Sequence, residues 1–226
     1  MQSDRAIDFQ GVTVEGSDGS KILENVTFSI RHGEKILVYG ESGSGKSTLI
    51  YSILGRNRIK TGTIRIDGTE LDSRNAAGIR KKICFIPQEP VTGAQTVKES
   101  LLFPFTFRAN MDIFPSQDEI SEVLESVGLG TGLFDKDSTR LSGGEKQRLA
   151  LARGLLLKRD IMLVDEPASA LDENNERNIL GILTGIESTV VVVSHTSAWL
   201  SRFSKCIHVA HGRATLTESQ DVKESF

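Results

Sequence analysis

The chain has 226 residues, 38% of them hydrophobic and 25% charged, and its 27 Lys and Arg against 30 Asp and Glu leave a formal net charge of −3. Those proportions describe a globular chain and exclude disordered, collagen-like and fibrous classes, while the length suits one large domain or one core with an inserted subdomain. The near-neutral balance argues against a nucleic-acid partner held by bulk charge, and no apolar run reaches the ~18 residues of a membrane span. The opening segment, Met1 to Arg5, carries Asp4 ahead of any apolar run and does not read as a secretory signal. Two cysteines without a C-x-x-C pattern, Cys84 and Cys206, read as reduced thiols of a cytosolic protein.

From the N-terminus, Ile7 to Ile30 alternates apolar residues (Ile7, Phe9; Val12, Val14; Val26, Phe28, Ile30) around Gly16, Asp18 and Gly19, which predicts antiparallel strands joined by a turn. Lys35 to Tyr39 is a continuous apolar run of the kind buried on both faces of a parallel sheet, and a helix from about Lys46 to Leu54 follows it. Roughly 90–140 carries no strong strand signal. Ser116 and Glu119 there form a capping box, Ile120, Val123, Leu124 and Val127 form a helical stripe, and Gly128 stops it, so the segment reads as a helical insertion. Beyond it, Ser142 and Glu145 open another helix, Asp160 to Val164 and Thr189 to Val193 read as buried strands, and Asp172 can cap a helix between them. Strands alternating with helices mean a mostly parallel α/β sheet. The cluster Arg74, Arg80, Lys81 and Lys82 reads as a solvated face.

Three segments carry chemistry. Gly40-Glu-Ser-Gly-Ser-Gly-Lys46-Ser47 matches G-x-x-x-x-G-K-[ST] and lies between a strand and a helix, the context in which glycines turn backbone N–H groups toward phosphate oxygens at a helix N-terminus. Lys46 would reach the β- and γ-phosphates and Ser47 would ligate magnesium, with Gly40, Ser42, Gly43, Ser44, Gly45 and Thr48 completing the phosphate-binding loop. The strand Ile161 to Val164 ends in Asp165 and Glu166; beside such a loop the first acid holds the metal and the second polarises the attacking water as general base. Leu141-Ser-Gly-Gly-Glu145 is open to two readings. It is a capped helix start, but two glycines in a first turn cost roughly 1 kcal/mol each and imply close backbone approach, which points to a second anion site.

In this order and combination the motifs resemble those of the nucleotide-binding subunits of ABC transporters, over Ile7 to about Ala214. The resemblance implies an ABC ATPase domain over 1–226: a P-loop NTPase core with N-terminal antiparallel strands and a helical subdomain inserted at about 90–140. It implies ATP and Mg2+ as cofactors and gives Gln88 the family's glutamine loop, which touches magnesium and water. It assigns residues 169–172, ending in Asp172, to the loop that crosses the dimer interface, and His195 to the switch histidine. Two copies would close head to tail, Ser142, Gly143 and Gly144 of one completing the phosphate cradle around Lys46 and Ser47 of the other. The implied partners are a second ATPase subunit and transmembrane permease subunits, which would keep the protein in the cytoplasm at the inner face of the membrane. Thr96 to Phe105, followed later by the signature segment, is also similar to stand-alone bacterial ATPase subunits assigned to iron or other metal export.

Two features depart from the family pattern: Asp135 to Arg140 stands just ahead of Leu141 where exporters with fused membrane domains usually carry a Gly-Glu-x-Gly-like stretch, and the aromatic that usually holds adenine is missing. Members usually stack adenine on an aromatic in the first strands, whereas no Phe, Tyr or Trp lies between Phe9 and Phe28. Two other classes are weighed against transport: a soluble non-transport ABC ATPase, which the short chain without heptads or repeats disfavours, and a small-molecule kinase, which Leu141 to Glu145 and the Asp165-Glu166 pair disfavour.

Overall fold

The computed structural model of the chain describes residues 4–195 and 197–220. Of the opening segment, residues 1–3 lie outside the described residues. The alternating N-terminal pattern forms β1 (Arg5–Glu15) and β2 (Lys21–Arg31), paired antiparallel with Phe9 opposite Phe28. Their rings stack at 4.6 Å. Strand β3 (Lys35–Tyr39) leads into α1 (Lys46–Ile53). Two strands follow that no clean alternation announces, β4 (Ile59–Ile66) and the two-residue β5 (Thr69–Glu70), and they complete a four-stranded antiparallel sheet in the order β2-β1-β4-β5. Gly62, at φ 83°, lets β4 cross β1, where a Cβ would lie 2.4 Å from the Gln10 and Gly11 backbone.

The remaining strands build the parallel core. After α2 (Ala76–Arg80) come β6 (Ile83–Ile86), then α3 (Val97–Leu102), α4 (Gln117–Ser126) and α5 (Gly143–Leu156). They are followed by β7 (Ile161–Asp165), α6 (Glu173–Gly185), β8 (Thr189–Val193), β9 (Lys205–Ala210) and β10 (Arg213–Glu218). The sheet order is β10-β9-β3-β8-β7-β6, parallel throughout except for the β9/β10 hairpin. Every residue of β7 and β8 is buried, as a strand covered on both faces requires. On one face Leu49, Ile50 and Ile53 of α1 pack with β1 and β2; on the other Leu149, Leu151 and Leu156 of α5 pack with Ile179 and Leu183 of α6. Between residues 97 and 140 the chain forms α3, α4 and short 3-10 turns, and no strand of either sheet. Its helices start on paired caps: Thr96 with Glu99, and Ser116 with Glu119.

The fold also accounts for residues that otherwise look conspicuous. Of the basic cluster, Arg74 pairs with Asp72, Lys82 pairs with Asp67, and Arg80 donates to the Leu54 and Gly55 carbonyls at the end of α1. Cys84 and Cys206 are free and buried, and burial pushes the Cys84 thiol up to about 12, which keeps it protonated and inert. Among the described residues, no helix is long and apolar enough to cross a membrane.

Candidate functional site

The parallel strands β3, β7 and β8 end at one edge of the sheet, where the predicted residues converge. At β3 the chain turns through Gly40 (φ 146°), Gly43 (φ 77°) and Gly45 (φ 107°) before entering α1. Gly40 is irreplaceable on steric grounds, since a Cβ there would lie 2.1 Å from the Val209 carbonyl oxygen. Helices α3 to α6 each begin on a capping side chain, but α1 does not: Gly45 offers none, so the first-turn N–H groups stay open. Within the same loop the Ser44 hydroxyl is buried without a partner. Lys46 is buried too, and its ammonium donates to the Gly40 (3.0 Å) and Glu41 (2.7 Å) carbonyls. Open N–H groups, an unsatisfied hydroxyl and a cation folded onto its own loop form an anion cradle with the donors that phosphate oxygens require.

Two carboxylates face that cradle. Asp165 ends β7 and is 5% exposed. Burial raises its pKa first and the neighbouring Glu166 charge adds to this; Lys46, a hydrogen bond from Ser47 and His195 pull the other way. Lys46 is in turn lowered by burial and held up by Glu166 and Asp165. Glu166 stands at φ 46°, a left-handed conformation uncommon outside glycine, fixed by a bond from its N–H to the Val193 carbonyl at 2.9 Å. This turn brings its carboxylate between two elements. Gln88, just past β6, donates to Glu166 Oε2 at 2.9 Å, and His195, just past β8, approaches Oε1 through Nε2 at 2.7 Å.

Ser142, Gly143, Gly144 and Asp172 have other neighbours within the chain. Ser142 caps α5, its hydroxyl accepting from Glu145 N–H while Glu145 accepts from Ser142 N–H at 2.8 Å. The glycines have an intramolecular reason: a Cβ on Gly143 would sit 3.2 Å from Ala170 Cβ, and one on Gly144 3.0 Å from the Ala170 carbonyl and 3.1 Å from Leu171. Close backbone approach is therefore real, but the surface approached is the chain's own loop at 170–171. Asp172 caps α6, accepting from the Asn174 and Asn175 N–H groups and from the Asn175 amide, and the Asn175 bonds lower its pKa.

The sequence reading passed over Arg153. It projects from α5 to donate to the carbonyls of Val91 (2.8 Å) and Thr92 (3.3 Å), tethering the segment that follows Gln88. Its signal was available: a lone arginine in the apolar run Leu149 to Leu156.

A family model described as ABC transporter matches residues 23–169, which is more than half of the chain. The chain belongs to the ABC transporter family. Relatives include an ABC transporter ATP-binding protein of Archaeoglobus fulgidus, 34% identical over 84% of this chain and 80% of its own length. The lactococcin-A transport/processing ATP-binding protein LcnC of Lactococcus lactis is 32% identical over 86% of this chain, which spans only 28% of LcnC. Among solved structures, a bacterial Atm1-family ABC exporter with ATP bound superposes with a TM-score of 0.86, at 22% identity, over 100% of this chain and 40% of its own. cbiO1 of Clostridium perfringens, part of the cbiONQ ABC transporter complex, gives 0.85 at 22% identity over 98% of this chain and 92% of its own. At that identity both likenesses establish the fold, an α/β ABC ATPase fold with its antiparallel N-terminal sheet.

The raised pKa of Asp165 has a consequence for stability. A folded pKa above the unfolded value means that the group favours folding below the unfolded pKa and that this is lost as pH rises through the folded one, so at neutral pH the buried carboxylate is held at a cost. Asp165→Asn is therefore expected to stabilise the nucleotide-free protein at pH 7, read as a rise in melting temperature that shrinks toward pH 3. An unchanged or lowered melting temperature at pH 7 contradicts it.

Proposed function

We propose that this chain is the ATP-binding and ATP-hydrolysing subunit of an ABC transporter, working with Mg2+. The observation that carries the reading is the convergence of Lys46, Asp165 and Glu166, with Gln88 and His195 on the Glu166 carboxylate, beside an open helix N-terminus. Phosphate oxygens would replace the loop carbonyls as partners of Lys46 and satisfy Ser44. The donor set suits magnesium: a hard cation would take oxygens from Asp165, Ser47 and Gln88, only one of them a carboxylate, and fill its shell with water and phosphates. When bound, the ion neutralises charge developing on the transferred phosphoryl group. Glu166 then accepts a proton from the attacking water, and His195 and Gln88 set the direction of its carboxylate.

The same reading takes a second copy of the chain as partner, its Ser142, Gly143 and Gly144 closing over the bound nucleotide, so that ATP joins the subunits and hydrolysis parts them. A permease is the further partner, and through it the protein sits at the inner face of the membrane. Support for the permease lies beside Gln88 and along the helical segment, where Val91, Phe103, Phe107, Met111 and Phe114 are exposed. An apolar surface of that kind marks an interaction site. Purified protein is expected to release inorganic phosphate from ATP in a magnesium-dependent reaction without an acceptor. Phosphate transferred to a small-molecule acceptor instead would replace this reading with a kinase.

A further inference from the structure

We infer that a nucleotide whose phosphates occupy the loop at 40–48 rests its base on the imidazole of His208, in a cleft walled by that loop, the start of β2 and the β9/β10 turn. The inference rests on the reading above that the loop binds ATP.

The cleft has a volume of about 590 Å3, within the range of small-ligand sites, and adjoins the phosphate loop directly: Glu41, Ser42, Gly43 and Ser44 form one wall. Residues 20–22 form a second and 210–212, with His208, a third. The end of the β1/β2 hairpin beside the cleft offers no ring: Val14 near the end of β1 is 1% exposed and opposite Leu23. The parallel register of β3 with β9 supplies one, by setting Tyr39, the residue before the loop, opposite His208. The two rings stack at 4.8 Å and 21°. Tyr39 therefore supports one face of an imidazole that is itself exposed and lines the cleft.

This ring is fixed relative to the phosphates. Val209, next to His208, presses its carbonyl against Gly40 so closely that no Cβ fits between them. At the far end, Glu24 N–H donates to the Gly212 carbonyl at 2.6 Å and ties the β9/β10 turn to β2. Ile22 adds an apolar wall where β2 meets the loop, 3.3 Å from a Cβ built on Gly45. A flat aromatic group on a backed imidazole, against an aliphatic side chain and within reach of the phosphate cradle, is the chemistry of a nucleoside base.

The test uses ADP and inorganic pyrophosphate, neither of which requires turnover, in calorimetric titrations of the full chain. His208→Ala is expected to weaken ADP binding roughly 3- to 10-fold and to leave pyrophosphate binding unchanged, while His208→Phe, which keeps a ring on Tyr39, retains ADP affinity. ADP binding unchanged in His208→Ala overturns the inference and leaves the ATP-binding reading intact. Equal losses for ADP and pyrophosphate overturn it also, since His208 would then only shape the loop. If the unsubstituted chain binds neither ADP nor ATP, the reading of the site as a nucleotide site fails, and the inference with it.

Discussion

Replacing Glu166 with Gln is expected to lower the steady-state rate of ATP hydrolysis by about 10²- to 10⁴-fold while leaving ATP affinity within a few-fold of the native value. The substitution is nearly isosteric, so the left-handed turn and its bond to the Val193 carbonyl persist, but the amide has no lone pair basic enough to take a proton from water. The effect must therefore fall on kcat. In the nucleotide-free protein the Glu166 carboxylate is engaged on both oxygens, by Gln88 and by His195, so its direction is held by two neighbours. Phosphate release assayed beside equilibrium nucleotide binding separates the two parameters. An unchanged turnover rate would remove Glu166 from the role of base and leave Asp165 and a metal-bound water to account for hydrolysis.

Much of this site was legible because its chemistry is written locally. A glycine-rich turn between an apolar run and a helix, and a buried strand ending in two acids, declare their geometry within ten residues each, and the structure brings Lys46, Asp165 and Glu166 together as those patterns require. Gln88 and His195 carried no local signal, and only the family resemblance marked them; it is sheet order that brings both to Glu166, Gln88 from beyond β6 and His195 from beyond β8, on either side of β7. Strand β6 has only four residues, too few for a period to declare itself, and β9 interrupts its apolar pattern with the exposed His208. Long-range register is equally invisible to composition. Nothing in Lys205 to Ala210 announces that it lies against β3, and therefore beside the phosphate loop. At Gly143 and Gly144 the cost of two glycines in a first turn is legible but its reason is not: within the chain they lie against Ala170 and Leu171, a contact no local pattern announces.

Ser142→Arg is expected to abolish association of two ATP-loaded chains while a single chain still binds nucleotide, and this tests the composite site directly. Ser142 is exposed and its hydroxyl serves the fold only as the α5 cap, so arginine can be accommodated at a cost of about 1 kcal/mol for the lost cap. That loss is too small to unfold a domain of this size, and Ser142→Asp, which keeps a capping oxygen, isolates it. In the proposed composite site the seryl side chain and the neighbouring N–H groups at the start of α5 would face the γ-phosphate of the opposite subunit. A long guanidinium there blocks close approach of the two backbones, whereas an aspartate repels the phosphate, so both variants fail to associate although their folded stabilities differ. Light scattering in the Glu166→Gln background, with and without ATP and magnesium, reads the oligomer without interference from hydrolysis. Loss of the dimer in both variants, with the monomer's ATP affinity intact, places the start of α5 in the partner's active site. Normal association of either variant removes α5 from the interface, and Gly143 and Gly144 are then explained entirely by their packing on residues 170–171.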